Sequence, residues 1–259
     1  MNTSPIGVFD SGVGGLSILR ALRAELPAEH FTYLADSGFA PYGERDDFFV
    51  VERARAVAQR LLDEHAIKAL VIACNTATAA AIHLLRKELP GLQIVGVEPA
   101  LKPAIALTRT GRIGVMATRG TLASAKFKAL HNSLRGQAEF VLQPCDGLAD
   151  AIETDDASLM TELCAGSIQA LGRFGSESGD IDTLVLGCTH YPFVQDRLQA
   201  LVGNSVRMVE TGEPVARQTR RLLEAGGLLK PAGAGALSLH STGDLTALQR
   251  AAARWLPAS

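Results

Sequence analysis

The sequence Ala69-Leu70-Val71-Ile72-Ala73-Cys74-Asn75-Thr76-Ala77-Thr78 has a counterpart later in the chain, Thr183-Leu184-Val185-Leu186-Gly187-Cys188-Thr189-His190. In both, an apolar run with the character of a buried parallel strand leads directly into a cysteine with polar neighbours. Each cysteine is therefore predicted where a strand turns towards a helix, which is where open α/β sheets place reactive groups. The matched contexts predict one site built from two similar halves.

Short apolar runs alternate with longer amphipathic stretches along the whole chain. Leucines at three-to-four spacing from Leu16 to Leu26, and apolar positions from Val50 to Leu62, predict helices. This alternation is typical of parallel sheets covered by helices, so we predict an α/β fold. The predicted strands are Ile6–Asp10, Phe31–Ala35, Ala69–Ala73, Gln93–Val97, Arg112–Ala117, Glu139–Leu142, Thr183–Gly187, Val206–Val209 and Leu237–His240.

A weak internal repeat predicts two pseudo-symmetric lobes. The segment from Ile6 to Gly12 resembles the segment from Ile113 to Arg119, and each precedes its cysteine by a similar distance. We expect a first lobe of residues 1–98 with 208–259, and a second lobe of residues 99–207. Each lobe should hold a mostly parallel sheet flanked by helices, with the active site in the cleft between the lobes.

Composition excludes several classes of function. The chain has 259 residues, of which 47% are hydrophobic, and a net charge of −2, so nothing in its charge predicts nucleic-acid binding. It contains no apolar run long enough for a membrane span, and Met1 to Pro5 lacks the basic start of a secretion signal. We therefore expect a cytoplasmic protein without a membrane partner.

The four cysteines are expected to be free thiols. Their spacing matches no zinc pattern, so no metal site is predicted. Disulfides are rare in the cytoplasm, which leaves thiol chemistry as the default. The cysteines are Cys74, Cys145, Cys164 and Cys188.

Two loops after predicted strands carry candidate site residues. Asp10 and Ser11 precede the glycine-rich segment Gly12–Gly15, which predicts either a tight turn receiving a carboxylate or a phosphate-binding loop. This segment lacks the complete dinucleotide and P-loop patterns, and Asp10 could also serve only as a helix cap. Pro41-Tyr42-Gly43 follows the second strand, where its N–H groups can receive an anion, although ordinary turn chemistry is the alternative.

The neighbours of the two matched cysteines argue against inert buried thiols. Asn75 and Thr76 are polar groups in an apolar setting and need partners, for which a bound carboxylate is suitable. His190 lies near Cys188, and a neighbouring histidine favours a thiolate. One thiol on each side of a substrate supplies a base and an acid, which is the chemistry of racemisation. A cysteine hydrolase and a small-ligand binding protein remain the alternatives from other classes.

Taken together, these motifs resemble those of the glutamate racemases in the cofactor-independent aspartate/glutamate racemase superfamily. The resemblance runs in order through Gly7–Ser17, Pro41–Gly43, Cys74–Ala79 and Gly187–Pro192. Two segments depart from the usual pattern. Gln143–Asp146 stands where Cys-Pro is common, and Glu210 stands where the family usually has an aspartate.

The resemblance implies a role for each matching residue. It makes Cys74 and Cys188 the catalytic cysteines, assisted by Asp10 and His190, and it aligns a family glutamate with Glu153. It also implies substrate contacts through Asp10, Ser11, Pro41, Tyr42, Gly43, Asn75, Thr76, Thr189 and Glu153.

The resemblance further implies interconversion of L-glutamate and D-glutamate for bacterial peptidoglycan, by an enzyme that is often a homodimer. No lysine lies in a matched motif, so a pyridoxal Schiff base has no evident anchor and no cofactor is expected. Aspartate or another acidic amino acid remains an alternative substrate, because residues that select side-chain length are not identifiable from the sequence.

Overall fold

The structure, a computed structural model, describes residues 3–256 and consists of parallel sheets flanked by helices, as predicted. The strands are β1 Ile6–Asp10, β2 Phe31–Ala35, β3 Ala69–Ile72, β4 Gln93–Gly96, β5 Arg112–Ala117, β6 Glu139–Pro144, β7 Thr183–Leu186, β8 Arg207–Val209 and β9 Leu237–Ser241. The helices are α1 Leu16–Glu25, α2 Asp47–His65, α3 Asn75–Glu88, α4 Leu101–Leu107, α5 Arg119–Ala123, α6 Ala125–Ser133, α7 Leu148–Glu153, α8 Ala157–Leu171, α9 Gln195–Val202, α10 Gly212–Ala225 and α11 Leu245–Trp255.

Every predicted strand is confirmed, with ends that differ from the prediction by two residues at most. The central strands could be predicted because both of their faces are covered. All residues of β1, β2 and β3 are buried, so these strands are largely apolar and do not alternate between apolar and polar residues.

The described chain divides into two compact units. Residues 3–97 and 212–256 form the first unit, and residues 98–211 form the second. The first unit contains a parallel five-stranded sheet in the order β4-β3-β1-β2-β9. Helices α2 and α3 cover one face through Val57, Leu61, Ala81 and Leu85, which pack with Ile72 in a single apolar cluster.

The second unit contains a parallel four-stranded sheet in the order β6-β5-β7-β8. Alternate residues of β7 enter different apolar clusters. Leu184 and Leu186 pack with Leu148 of α7 and Leu198 of α9, whereas Val185 packs with residues of α4 and α6. Helices therefore cover both faces of this sheet.

The two sheets share one strand order. In each unit, the first strand along the chain is central, the second strand pairs on one side, and the third pairs on the other side with the fourth beyond it. The first sheet adds only β9, which pairs with β2. Because all pairs are parallel, the carboxyl ends of the strands in each unit lie at one sheet edge, where ligands of α/β proteins bind.

Within residues 3–256, no helix has the combination of length and apolarity that crossing a bilayer requires.

Candidate active site

In the first unit, Asp10 ends β1 and is fully buried. Its Oδ2 accepts the N–H of Gly15 at 2.5 Å. The Tyr33 hydroxyl donates to the carbonyl oxygen of Gly12 at 2.6 Å, which fixes the turn from the other side. The glycine-rich segment is therefore a tight turn built around a carboxylate of the chain itself.

Cys74 follows β3 and is the N-cap residue of α3. Its Sγ accepts the N–H of Ala77 at 3.4 Å and lies 3.9 Å from Oγ of Ser11. The thiol is buried, with 5% of the residue exposed. A helix N-terminus carries partial positive charge, so this position favours a negatively charged sulfur atom.

Asn75 and Thr76 are buried in the first turn of α3. Neither the amide oxygen nor the amide nitrogen of Asn75 has a hydrogen-bond partner among residues 3–256. A buried amide without a partner is unfavourable, so this side chain is suited to a bound polar ligand. Thr78 differs, because its hydroxyl donates to Ile72 and accepts from Val97, which is a structural role.

Pro41, Tyr42 and Gly43 follow β2, and the peptide bond before Pro41 is cis. Tyr42 is buried, and its hydroxyl donates to the carboxylate of Asp36. Burial, together with the nearby Asp36 charge, raises the pKa of Tyr42, so the side chain stays a neutral phenol. Because the Tyr42 hydroxyl is hydrogen-bonded to Asp36, the backbone of Pro41–Gly43 is the part of this segment that is suited to contact a ligand.

In the second unit, Cys188 follows β7 and lies in contact with His190. The Cys188 Sγ to His190 Nδ1 distance is 3.6 Å. On the other side of the ring, His190 Nε2 lies 2.5 Å from Oε1 of Glu153, the last residue of α7. The three residues therefore form a continuous chain of polar contacts that ends at a thiol.

The protonation of His190 depends on opposing effects. Burial favours the neutral ring, but contacts with Cys188 and Glu153 outweigh it and hold the pKa of His190 well above its usual value. The Glu153 carboxylate can thus stabilise an imidazolium, and that imidazolium can exchange a proton with the thiol.

The other cysteines have a different environment. Burial raises the pKa of Cys145 to about 11 and that of Cys164 to about 11, so both remain thiols at neutral pH. Both are buried in the apolar cluster around β7.

The described structure brings several predicted residues together within each unit. Asp10, Ser11, Cys74, Asn75 and Thr76 lie at the carboxyl ends of β1 and β3. In the second unit Glu153, Cys188 and His190 are in contact, and the buried Thr189 lies between the last two in sequence.

Sequence reasoning missed two threonines and one ion pair. Thr118 and Thr121 follow β5, at the same sheet edge as Cys188, and their hydroxyls lie 2.9 Å apart. Their position after a buried strand is the sequence feature that could have identified them. The ion pair joins Asp36 and Arg53, both outside the matched motifs.

Within residues 3–256, no group of three or more histidine, cysteine, aspartate or glutamate side chains is arranged to hold a metal ion.

Comparison with known proteins identifies the family. Residues 6–219 match the sequence profile of the Asp/Glu/Hydantoin racemase family. The glutamate racemase of Ectopseudomonas mendocina is 49% identical over 253 residues, covering 96% of this chain and 94% of that protein. The crystal structure of glutamate racemase isoform RacE1 from Bacillus anthracis is 31% identical with a TM-score of 0.86, covering 98% of this chain and 94% of that one.

A second solved structure includes ligands. It is glutamate racemase from Escherichia coli in complex with L-glutamate and the activator UDP-MurNAc-Ala, 29% identical with a TM-score of 0.82. It covers 97% of this chain and 95% of that one. With a profile match across most of its length and relatives aligned along nearly all of it, the chain belongs to the Asp/Glu/Hydantoin racemase family and is an isomerase.

Proposed function

We propose that this enzyme interconverts L-glutamate and D-glutamate without a cofactor, using Cys74 and Cys188 as its two proton-transfer groups. The main support is that each thiol follows the third strand of a sheet with the same strand order, beside groups that favour a thiolate. Relatives named glutamate racemase support the choice of substrate.

In the proposed reaction, one cysteine acts as a thiolate and the other as a thiol. The thiolate removes the α-proton from one face of glutamate, and the thiol donates its proton to the opposite face of the carbanion. The first sulfur ends protonated and the second ends as a thiolate, so the net charge is conserved. The reverse direction uses the same groups in exchanged roles.

The α-proton of an amino acid is far less acidic than a thiol, so the site must stabilise the developing negative charge. Positioning and preorganised hydrogen-bond donors each supply several kcal/mol in favourable sites. The buried amide of Asn75, which has no hydrogen-bond partner within residues 3–256, and the N–H groups of Tyr42 and Gly43 are the donors that we assign to substrate carboxylates.

Auxiliary groups differ between the two thiols. At Cys188 the His190–Glu153 pair is placed to deliver or accept a proton. At Cys74 the helix N-terminus favours the thiolate, and Asp10 lies at the neighbouring strand end. We assign Asp10 to the substrate ammonium group or to tuning of the Cys74 thiol.

The cellular role follows from the proposed product. We infer that the enzyme supplies D-glutamate for bacterial peptidoglycan in the cytoplasm, and that it forms a homodimer as the resemblance implies. Light scattering of the purified protein tests the homodimer, and a panel of acidic amino acids tests glutamate against aspartate.

The central experiment follows racemisation in D2O by optical rotation and NMR, without added cofactor. With two separate proton-transfer groups, product formed early should carry deuterium at the α-carbon while the remaining substrate keeps its proton. Cys74→Ser and Cys188→Ser should each slow interconversion at least about 100-fold, because each removes a proton-transfer group. Cys164→Ala, which removes a buried thiol elsewhere in the second unit, should leave the rate nearly unchanged.

The proposal fails if either serine variant keeps full activity. It also fails if the wild-type protein leaves the optical rotation of L-glutamate constant, which would be the behaviour of a binding protein.

A further inference from the structure

Arg53 of α2 contacts two residues, Asp36 and Phe39, in the segment that follows β2. Its Nε and Nη2 donate to the two carboxylate oxygens of Asp36, each at 2.9 Å. Its guanidinium carbon lies 3.4 Å from the centroid of the Phe39 ring. One side chain therefore holds the residue directly after β2 and an aromatic residue three positions later.

Asp36 depends on this contact because it is completely buried, whereas the Arg53 side chain is 21% exposed. A buried carboxylate is strongly unfavourable unless it is paired and its oxygens are hydrogen-bonded. The planar guanidinium meets both oxygens at once, which a lysine ammonium cannot do. Arg53 thus supplies hydrogen bonds to both oxygens of a carboxylate inside the protein.

The Asp36 carboxylate also holds Tyr42, whose hydroxyl donates to Oδ2. Tyr42 in turn packs in the same apolar cluster as Cys74 and Ala77 at the start of α3. The contacts therefore run from Arg53 through Asp36 to Tyr42, beside the proposed reactive thiol.

We propose that Arg53 is a positioning residue for the substrate-binding segment Pro41–Gly43, acting through Asp36 and Tyr42. This inference rests on the proposed function, since it assigns that segment to a carboxylate of glutamate. Without Arg53, the buried Asp36 carboxylate loses its ion-pair partner, and the rearrangement around it alters its bond with Tyr42. The backbone N–H groups of the segment then lose their fixed positions.

The test compares Arg53→Met with Arg55→Met. Arg55 lies on the same helix but pairs with Glu52 and Glu88 at the surface, so it is a matched control. Arg53→Met should raise KM for glutamate about 10-fold or more with a smaller change in kcat, because misplaced binding groups weaken substrate capture. Arg55→Met should leave both constants within about two-fold.

A third variant separates charge compensation from general damage to the fold. In Asp36→Asn/Arg53→Met, position 36 carries no carboxylate and its amide oxygen can still accept from Tyr42. Its KM should lie between those of wild type and Arg53→Met. Should Arg53→Met fail to fold, a wild-type KM in this double variant would overturn the inference.

Hydrogen exchange provides a readout that does not require activity. Peptides covering residues 37–44 should exchange faster in Arg53→Met than in Arg55→Met, with little difference elsewhere in the first unit. Equal exchange and equal KM in the two single variants would overturn the inference. If the wild type does not racemise glutamate, the proposed function fails, and exchange alone still decides whether Arg53 orders this segment.

Discussion

Position 15 requires glycine because there is no room for a side chain, and not because of its backbone conformation. Its φ of −62° and ψ of −11° are open to any residue. However, a Cβ added at this position would lie 2.6 Å from Cβ of Asp10, 2.7 Å from the Tyr33 hydroxyl and 3.1 Å from Cβ of Ala73. Gly15→Ala therefore tests how closely the turn is packed around Asp10.

Relief of these contacts requires shifts of about 1 Å, since ordinary carbon contacts begin near 3.5 Å. Asp10 is fully buried and accepts the N–H of Gly15, so it cannot move outwards and keep that bond. Overpacking of this kind costs about 1–3 kcal/mol. A misplaced Asp10 should also reduce kcat/KM by up to about 100-fold.

Urea unfolding and a racemisation assay on the same samples measure both effects. Gly91→Ala is the matched control, because Gly91 is exposed and, within residues 3–256, no atom beyond Gly91 and its two chain neighbours lies within 4 Å of an added Cβ. It should change the free energy of unfolding by less than about 1 kcal/mol. If Gly15→Ala matched this control in stability and in kcat/KM, the close packing around Asp10 would be refuted.

Two further substitutions test buried charges. The pKa of His190 is raised in the folded state, so the stability from its proton is complete below about pH 6.5 and is lost as pH rises through the folded pKa. Glu153→Gln should therefore lower the free energy of unfolding by about 1–3 kcal/mol at pH 6. The free energy of unfolding should also decline less towards pH 9 in this variant than in the wild type. If the two proteins gave parallel curves of unfolding free energy against pH, this assignment would be contradicted. Lys68→Met leaves Glu29 buried without its ion-pair partner and should cost about 3–5 kcal/mol. The surface change Arg60→Met should cost about 0.5 kcal/mol or less in the same urea titration, and equal losses would count against the role of burial.

The central strands could be predicted because a strand that is buried on both faces requires a local run of mostly apolar residues. β1 and β7 are continuous apolar runs that end at polar or glycine residues, and the candidate cysteines follow from that pattern. The pairing of β9 with β2 could not be predicted, because residues about 200 positions apart leave no periodic signal of their contact.

The contacts between site residues could not be predicted from the sequence for a similar reason. Glu153 and His190 are separated by 37 positions, and only the family resemblance suggested the glutamate. Asp36 and Arg53 are 17 positions apart and lie in no matched motif, so their ion pair had no signal except an aspartate directly after an apolar strand.

The placement of β9 has a consequence for synthesis on the ribosome. The second unit is an insertion, and its sheet is complete once residue 209 has emerged, whereas the first sheet stays open along β2 until residues 237–241 arrive. An unpaired strand edge is a template for joining another chain. Nascent or prematurely terminated chains are thus expected to aggregate at this edge, although every strand of the inserted sheet is already present.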